Sequence, residues 1–149
     1  VRAVVQRVSR AEVRVEGAAV ASIGLGFLVL AGVFEEDTME DLAWMAKRIA
    51  QLRILADAEG KMNLSPLDAG GEILLVSQFT LCANIKKGNR PSFIKAMAPE
   101  PAEAMVKKLA ATIGEYGLRV KTGVFGAMMD VELVNAGPVT IVLDSREFR

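Results

Sequence analysis

The chain contains no histidine and a single cysteine, Cys82. Without histidine, no Ser-His-Asp or Cys-His triad can form. The two scarcities together remove the usual zinc sites, which take their ligands from these side chains. A lone cysteine also rules out an internal disulfide. Long apolar runs are missing as well. The longest, residues 23–34, is broken by Gly24, Gly26 and Gly32 and falls short of the roughly 18 residues that suggest a membrane span. The opening Val1-Arg2-Ala3-Val4-Val5-Gln6-Arg7 reads as a strand, with no secretory pattern, so a cytoplasmic address is expected. Net charge is zero, with 18 basic and 18 acidic residues, which gives little overall attraction for a polyanion. Carboxylates could still hold magnesium. The nearest cluster, Asp37, Glu40 and Asp41, stands where a helix should begin, and there acids answer the helix dipole. No metal or cofactor is expected. Any hydrolysis must use hydroxyls, amides, carboxylates, backbone donors or groups of the substrate.

What is present is a core. With 149 residues, 52% hydrophobic and 24% charged, the chain reads as one globular domain over 1–149. Residues 4–10 and 11–16 look like two strands; in the second, Ala11, Val13 and Val15 alternate with Glu12, Arg14 and Glu16, as in a half-buried strand. Residues 18–22 suggest a short third strand. The apolar run 27–34 suits a strand covered on both faces. Asp37 or Thr38 can cap a helix whose buried stripe is Leu42, Met45, Ile49 and Leu52. Trp44 lies on its opposite side and needs cover, from a loop of its own chain or from a partner. Residues 56–72 read as loop with at most a short strand. A strand at 73–76 leads through Ser77-Gln78-Phe79-Thr80-Leu81 into a second loop, 83–99. A second helix starts near Pro101, buries Ala102, Met105, Leu109 and Ile113, and stops at Gly117. Strands follow at 119–124, 128–134 and 139–143, with Asn135-Ala136-Gly137-Pro138 linking the last two. Two strand-helix-strand passages, residues 27–76 and 73–124, permit parallel pairing. The expectation is a mixed α/β domain of roughly seven or eight strands, largely antiparallel, with two main helices in β/α/β layers.

Three segments carry more than packing. Ser77-Gln78-Phe79-Thr80 puts polar side chains at the end of a buried strand, where sites are often built. The N–H groups of Phe79 and Thr80 could hold an oxyanion if the sheet does not use them. Polar residues that merely close a strand explain the string equally well. Lys86, Lys87 and Arg90 gather on a Gly-containing loop, either as a solvated turn or as a contact for phosphates. Gly137-Pro138 makes a tight turn between strands or, if cis, aims carbonyl acceptors at a cation.

Taken in order, these strings resemble the D-aminoacyl-tRNA deacylase family over essentially the whole length. The opening residues 2–11, Ser77-Gln78-Phe79-Thr80-Leu81, Lys87-Gly88-Asn89-Arg90-Pro91-Ser92-Phe93 and Asn135-Ala136-Gly137-Pro138-Val139-Thr140 match that family's motifs.

The resemblance implies a homodimeric hydrolase that cleaves the ester between a D-amino acid, or glycine, and the terminal ribose of tRNA, and that rejects L-aminoacyl-tRNA. It implies two sites at the dimer interface, each lined by Ser77, Gln78, Phe79 and Thr80 of one subunit. A cis Gly137-Pro138 pair of the other subunit would hold the amino group and exclude L-side chains. Lys86, Lys87 and Arg90 would meet the tRNA; membrane and DNA are not expected partners. Either Thr80 is the nucleophile or the RNA 2′-hydroxyl drives hydrolysis. The composition favours the second view, since an activated threonine needs a neighbouring base and none lies in the motif. Two other readings remain: a non-catalytic RNA- or nucleotide-binding homodimer, and a structural dimer with Trp44 in its contact surface.

Overall fold

The computed structural model describes residues 1–148. The chain opens with β1 (Arg2–Val15), β2 (Ala18–Ile23) and β3 (Gly26–Gly32). α1 (Met39–Gln51) follows, then the small strands β4 (Leu55–Ala56) and β5 (Met62–Leu64) and the one-turn α2 (Pro66–Ala69). β6 (Glu72–Ser77) runs into a 3-10 turn (Phe79–Cys82). Next come α3 (Pro99–Glu115), β7 (Val120–Thr122), β8 (Asp130–Asp144) and the short α4 (Ser145–Phe148).

β1 organises the sheet. It pairs antiparallel with β2, β3 and β8, while β3–β6 and β6–β7 pair parallel. Both parallel contacts fall on the strand-helix-strand passages anticipated from the sequence. The result is a mixed α/β domain with a largely antiparallel sheet around β1 and two main helices, α1 and α3. The sheet curls enough for Lys121 on β7 to donate to the Ser22 carbonyl on β2 at 2.7 Å.

Two apolar clusters follow from strand alternation. Phe27, Val29 and Ala31 of β3 and Ile73 and Leu75 of β6 face Leu42, Met45 and Ile49 of α1 and Met105, Leu109 and Ile113 of α3. The intervening Leu28, Leu74 and Val76 face the other way, into the curl, with Val8, Ala11, Val13 and Ile23. Each large side chain sealed in this way contributes about 1.5–3 kcal/mol. β6 is buried on both faces for this reason.

Several boundaries differ from the sequence reading. The expected strands 4–10 and 11–16 are one strand, β1. Its register slips between Val8 and Arg10, which keeps Val8, Ala11 and Val13 on one face despite their odd spacing. The expected strands 128–134 and 139–143 are likewise one strand, β8, paired along β1 at both ends. Residues 56–72 hold a small hairpin and a helical turn rather than plain loop. α3 starts at Pro99, not Pro101. Thr38 is the cap of α1, and the Asp41 carboxylate accepts from the Thr38 N–H at 2.9 Å and its hydroxyl at 3.0 Å. Asp37 instead meets the Val1 ammonium at 2.7 Å. Trp44 is half-buried against the helix-side core of its own chain, with the Arg48 guanidinium 5.3 Å from its ring centroid.

Candidate active site

β6 ends at Ser77, and the chain then turns sharply. The Gln78 N–H donates to the Ala31 carbonyl at 2.8 Å, extending the β3 ladder by one bond. Gly32 makes this close approach possible: a Cβ there would lie 2.8 Å from the Gln78 carbonyl oxygen. Beyond Gln78 the 3-10 turn begins, with Leu81 N–H bonding to the Gln78 carbonyl and Ala83 N–H to that of Thr80. The Phe79 and Thr80 N–H groups head this turn and meet no carbonyl among the described residues. Two donors are thus left without a carbonyl partner, as an oxyanion site requires.

Beside the turn lies a cleft of about 640 Å³, bounded by Ser77, Gln78, Phe79, Phe93, Met97 and the Phe125–Met129 segment, among other apolar residues. Among the described residues, no ionisable side chain is on its wall. Ser77 and Gln78 supply its side-chain polarity. Thr80 stands outside the lining, exposed, with the Gln78 side-chain amide donating to its hydroxyl. An amide N–H donor cannot take a proton, so Thr80 has no base in this arrangement.

The basic loop is the lip of this cleft. Asn84 and Ser92 exchange backbone bonds of 2.8 and 2.9 Å, closing a hairpin with Lys86, Lys87 and Arg90 exposed at its tip. Phe93, just past the hairpin, packs edge-on to Phe79 with centroids 5.0 Å apart. From residue 73 to residue 99 the chain has no acidic residue but carries Lys86, Lys87, Arg90 and Lys95. Positive potential is therefore local, in a molecule with none overall.

Gly137-Pro138 is elsewhere. The bond is cis, and it sits in the middle of β8 rather than in a turn between strands. Gln6 pairs with Thr140 and Val8 with Asn135, so residues 136–139 bulge out opposite Arg7 alone. The Asn135 side chain ties the base of the bulge, accepting from the Val139 N–H at 2.9 Å and donating to the Thr140 hydroxyl at 3.0 Å. Arg7 donates to the Ala136 carbonyl at 2.7 Å and to the Ile54 carbonyl at 2.9 Å. Gly137 has φ +142, and a Cβ on it would meet Arg7 Nη2 and Val139 Cγ2 at 2.8 Å. Arg7, Asn135 and Thr140 shape this bulge, yet the sequence reading assigned them no part. The signal available was an arginine and a glutamine on the strand that pairs with the glycine-proline segment, but that pairing is visible only in three dimensions.

Register fixes how far apart the two segments are. Ser77 is level with Ala31, Ala31 with Ala3, and Ala3 with Leu143. Three strand spacings and five residues of β8 then separate Ser77 from Pro138, on the order of 20 Å. Within one chain, the structure brings Ser77, Gln78 and Phe79 to the cleft with Thr80 and the basic loop beside it. It does not bring Gly137-Pro138 there.

Fold and site together define a small α/β protein with an uncharged cleft, free backbone donors and a basic lip. The D-Tyr-tRNA(Tyr) deacylase family profile matches residues 4–144, and the chain belongs to that family. It is 57% identical over 145 residues to the D-aminoacyl-tRNA deacylase of Anaeromyxobacter dehalogenans (strain 2CP-C), covering 97% of each chain. It is 53% identical over 144 residues to that of Bacillus velezensis (strain DSM 23117 / BGSC 10A6 / LMG 26770 / FZB42), covering 97% of this chain and 98% of the relative. Among solved structures it resembles a c-Myc DNA Unwinding Element Binding Protein, with TM-score 0.91, 43% identity and coverage of 97% and 98%. A probable eukaryotic D-amino acid tRNA deacylase shares the fold, with TM-score 0.82 at 17% identity and coverage of 95% and 97%.

Proposed function

We propose that this chain is a D-aminoacyl-tRNA deacylase that hydrolyses the ester joining a D-amino acid, or glycine, to the terminal ribose of tRNA and spares L-aminoacyl-tRNA. The observation that carries the reading is a cleft that, among the described residues, has no ionisable side chain and lies beside two backbone N–H groups with no carbonyl partner. Such a site cannot supply a general base, so it suits a substrate that brings its own proton relay. An aminoacyl ester on a ribose has a neighbouring 2′-hydroxyl. Water attacks the ester carbonyl carbon, the 2′-hydroxyl relays the water proton to the departing 3′-oxygen, and the Phe79 and Thr80 N–H groups hold the developing oxyanion.

Chirality is read by a second copy of the chain. Gly137-Pro138 is exposed and about 20 Å from its own cleft, as strand spacing gives. Among the described residues β8 pairs with β1 alone and exposes Val134 and Val142; a long uncovered edge of this kind invites a partner. In the homodimer, Gly137-Pro138 of each subunit enters the other subunit's cleft. Its carbonyls accept from the substrate ammonium, and its rigid backbone occupies the direction an L-side chain would take. D-residues and glycine pass because nothing is built against them. Lys86, Lys87 and Arg90 meet tRNA phosphates at the lip. The enzyme works in the cytoplasm, where tRNA is charged and used.

Incubation with D- and L-aminoacyl-tRNA bearing the same amino acid tests the reading. Release of free D-amino acid with the L-ester left intact is expected. Protection of both esters would instead identify a non-catalytic RNA binder.

A further inference from the structure

The catalytic turn is short, and something must fix its far end. Its near end is fixed by the Gln78–Ala31 bond and by the bare Cα of Gly32. At the far end, the Leu81 carbonyl accepts from Arg2 Nη1 at 2.9 Å. Arg2 lies on β1, level with Gly32 of β3, so its side chain reaches across β3 to the turn. Its Nε donates to Asp144 Oδ2 at 2.9 Å, at the end of β8. Asp144 is itself immobilised. It is 1% exposed and accepts from the Arg146 N–H at 2.9 Å, Arg146 Nε at 3.2 Å and Arg146 Nη2 at 3.0 Å. The Arg146 and Arg2 guanidiniums lie 3.6 and 5.2 Å from the Phe34 ring centroid.

From this geometry we infer that Arg2, anchored by Asp144, is a positioning residue that sets the catalytic turn. A guanidinium is a rigid planar fork. One arm is locked on a buried carboxylate, so the other arm dictates where the Leu81 carbonyl sits. That carbonyl is part of the four-residue turn Phe79–Cys82, so Leu81 cannot shift without moving the Phe79 and Thr80 N–H groups. Misplacement of reacting groups by about 1 Å costs up to 100-fold in rate, whereas substrate contacts spread over a large cleft scarcely notice it. β8 thereby serves its own subunit's turn through Asp144. The inference rests on the deacylase reading for its kinetic consequence but not for its structural one.

Two measurements on Arg2→Met, Arg2→Lys and the unmodified protein test it. In single-turnover deacylation of D-aminoacyl-tRNA, Arg2→Met should lower the saturated rate on the order of 10-fold. The half-saturating enzyme concentration should stay within about twofold. Arg2→Lys should recover part of the rate, because an ammonium can still reach the Leu81 carbonyl. A saturated rate equal to that of the unmodified protein, or a loss confined to half-saturation, overturns the assignment. Amide hydrogen exchange gives a second readout that needs no activity. Leu81 and Ala83 should exchange about 10-fold faster in Arg2→Met, with core amides such as that of Leu109 unchanged. Unchanged exchange at Leu81 and Ala83 overturns the clamp even if the protein proves not to be a deacylase. An inactive unmodified protein whose turn does loosen in Arg2→Met refutes the deacylase reading and leaves the clamp standing.

Discussion

Thr80 is held by an amide that donates to its hydroxyl, and among the described residues the cleft wall has no group that could deprotonate it. Thr80→Ala should therefore keep the saturated deacylation rate within roughly tenfold of the parent, since no general base is lost. Complete loss of turnover in a folded variant with normal substrate affinity would restore threonine as the nucleophile. Gly137 is the opposite case. Its φ of +142 and the 2.8 Å approach of Arg7 Nη2 and Val139 Cγ2 leave no room for a Cβ. Gly137→Ala must shift the bulge away from the Arg7 bond to Ala136. The expected result is a loss of D-ester cleavage of 100-fold or more, on the order seen when reacting groups are misplaced by about 1 Å, with the melting temperature changed by only a few degrees, as for about 1 kcal/mol. Unaltered D-ester cleavage in Gly137→Ala would remove the bulge from the site. Asp144 carries a prediction about acid. Burial pushes its carboxyl up, but the hydrogen bonds from Arg146 and Arg2 outweigh burial and bring it down to about 2, from an ordinary 3.8. A depressed carboxylate stabilises the fold fully above its unfolded value and ceases to do so as pH falls to the folded one. Between pH 3.8 and about 2 the protein should lose about 2 kcal/mol from this group alone. Urea midpoints over that window, compared between the parent and Asp144→Asn, check it: the variant should show a shallower decline.

At the scale of elements, the basic hairpin closed by Asn84 and Ser92 can be tested as a unit. Replacing Lys86, Lys87 and Arg90 by alanine should weaken tRNA binding and reduce the slope of log K against log salt by roughly 2, as fewer counterions are released. An unchanged slope would place the tRNA on another surface. Duplex DNA measured alongside should bind weakly at physiological salt, because the molecule carries no net positive charge to offset a polyanion. The elements themselves differ in how far the sequence discloses them. Apolar periodicity gave both helices and β6, because Ile49, Leu109 and Leu75 are buried by the same repeat that makes them visible. It also allowed the two parallel pairings, since each strand-helix-strand passage has few ways to close. Periodicity failed where registers slip. A four-residue bulge opposite Arg7 and a skipped residue at Ser9 each break alternation, so β1 and β8 read as four strands rather than two. The cleft was only half legible. Ser77, Gln78 and Phe79 are neighbours in sequence and on its wall, but Phe93, Met97 and the Phe125–Met129 segment arrive from distant loops with no local pattern to announce them. Arg2 and Asp144 stand 142 residues apart, and nothing in either neighbourhood signals the other.

The whole molecule poses the question of completeness. A cleft with Ser77, Gln78 and Phe79 on its wall and the Gly137-Pro138 bulge about 20 Å away on the same chain, by strand spacing, would be two half-sites under the proposed function. If two copies exchange their Gly137-Pro138 bulges, each site needs an intact turn from one chain and an intact bulge from the other. Two different defects should then complement. Phe79→Pro removes a backbone donor at the head of the turn, where a proline can still be accommodated, and Gly137→Ala displaces the bulge. Each variant alone should be inactive, since both sites of its dimer carry the same fault. Mixed under dissociating conditions and reassembled, half of the dimers contain one chain of each kind. In those dimers one site inherits both defects and the other inherits neither. Activity should return to roughly a quarter of the parent value, the share expected from random pairing in a twofold assembly. Sedimentation should show a dimer for every sample. A mixture that stays inactive while exchange of subunits is demonstrated by mass labelling would mean that turn and bulge act within one chain or not together at all. A fully active monomer would remove the shared site altogether.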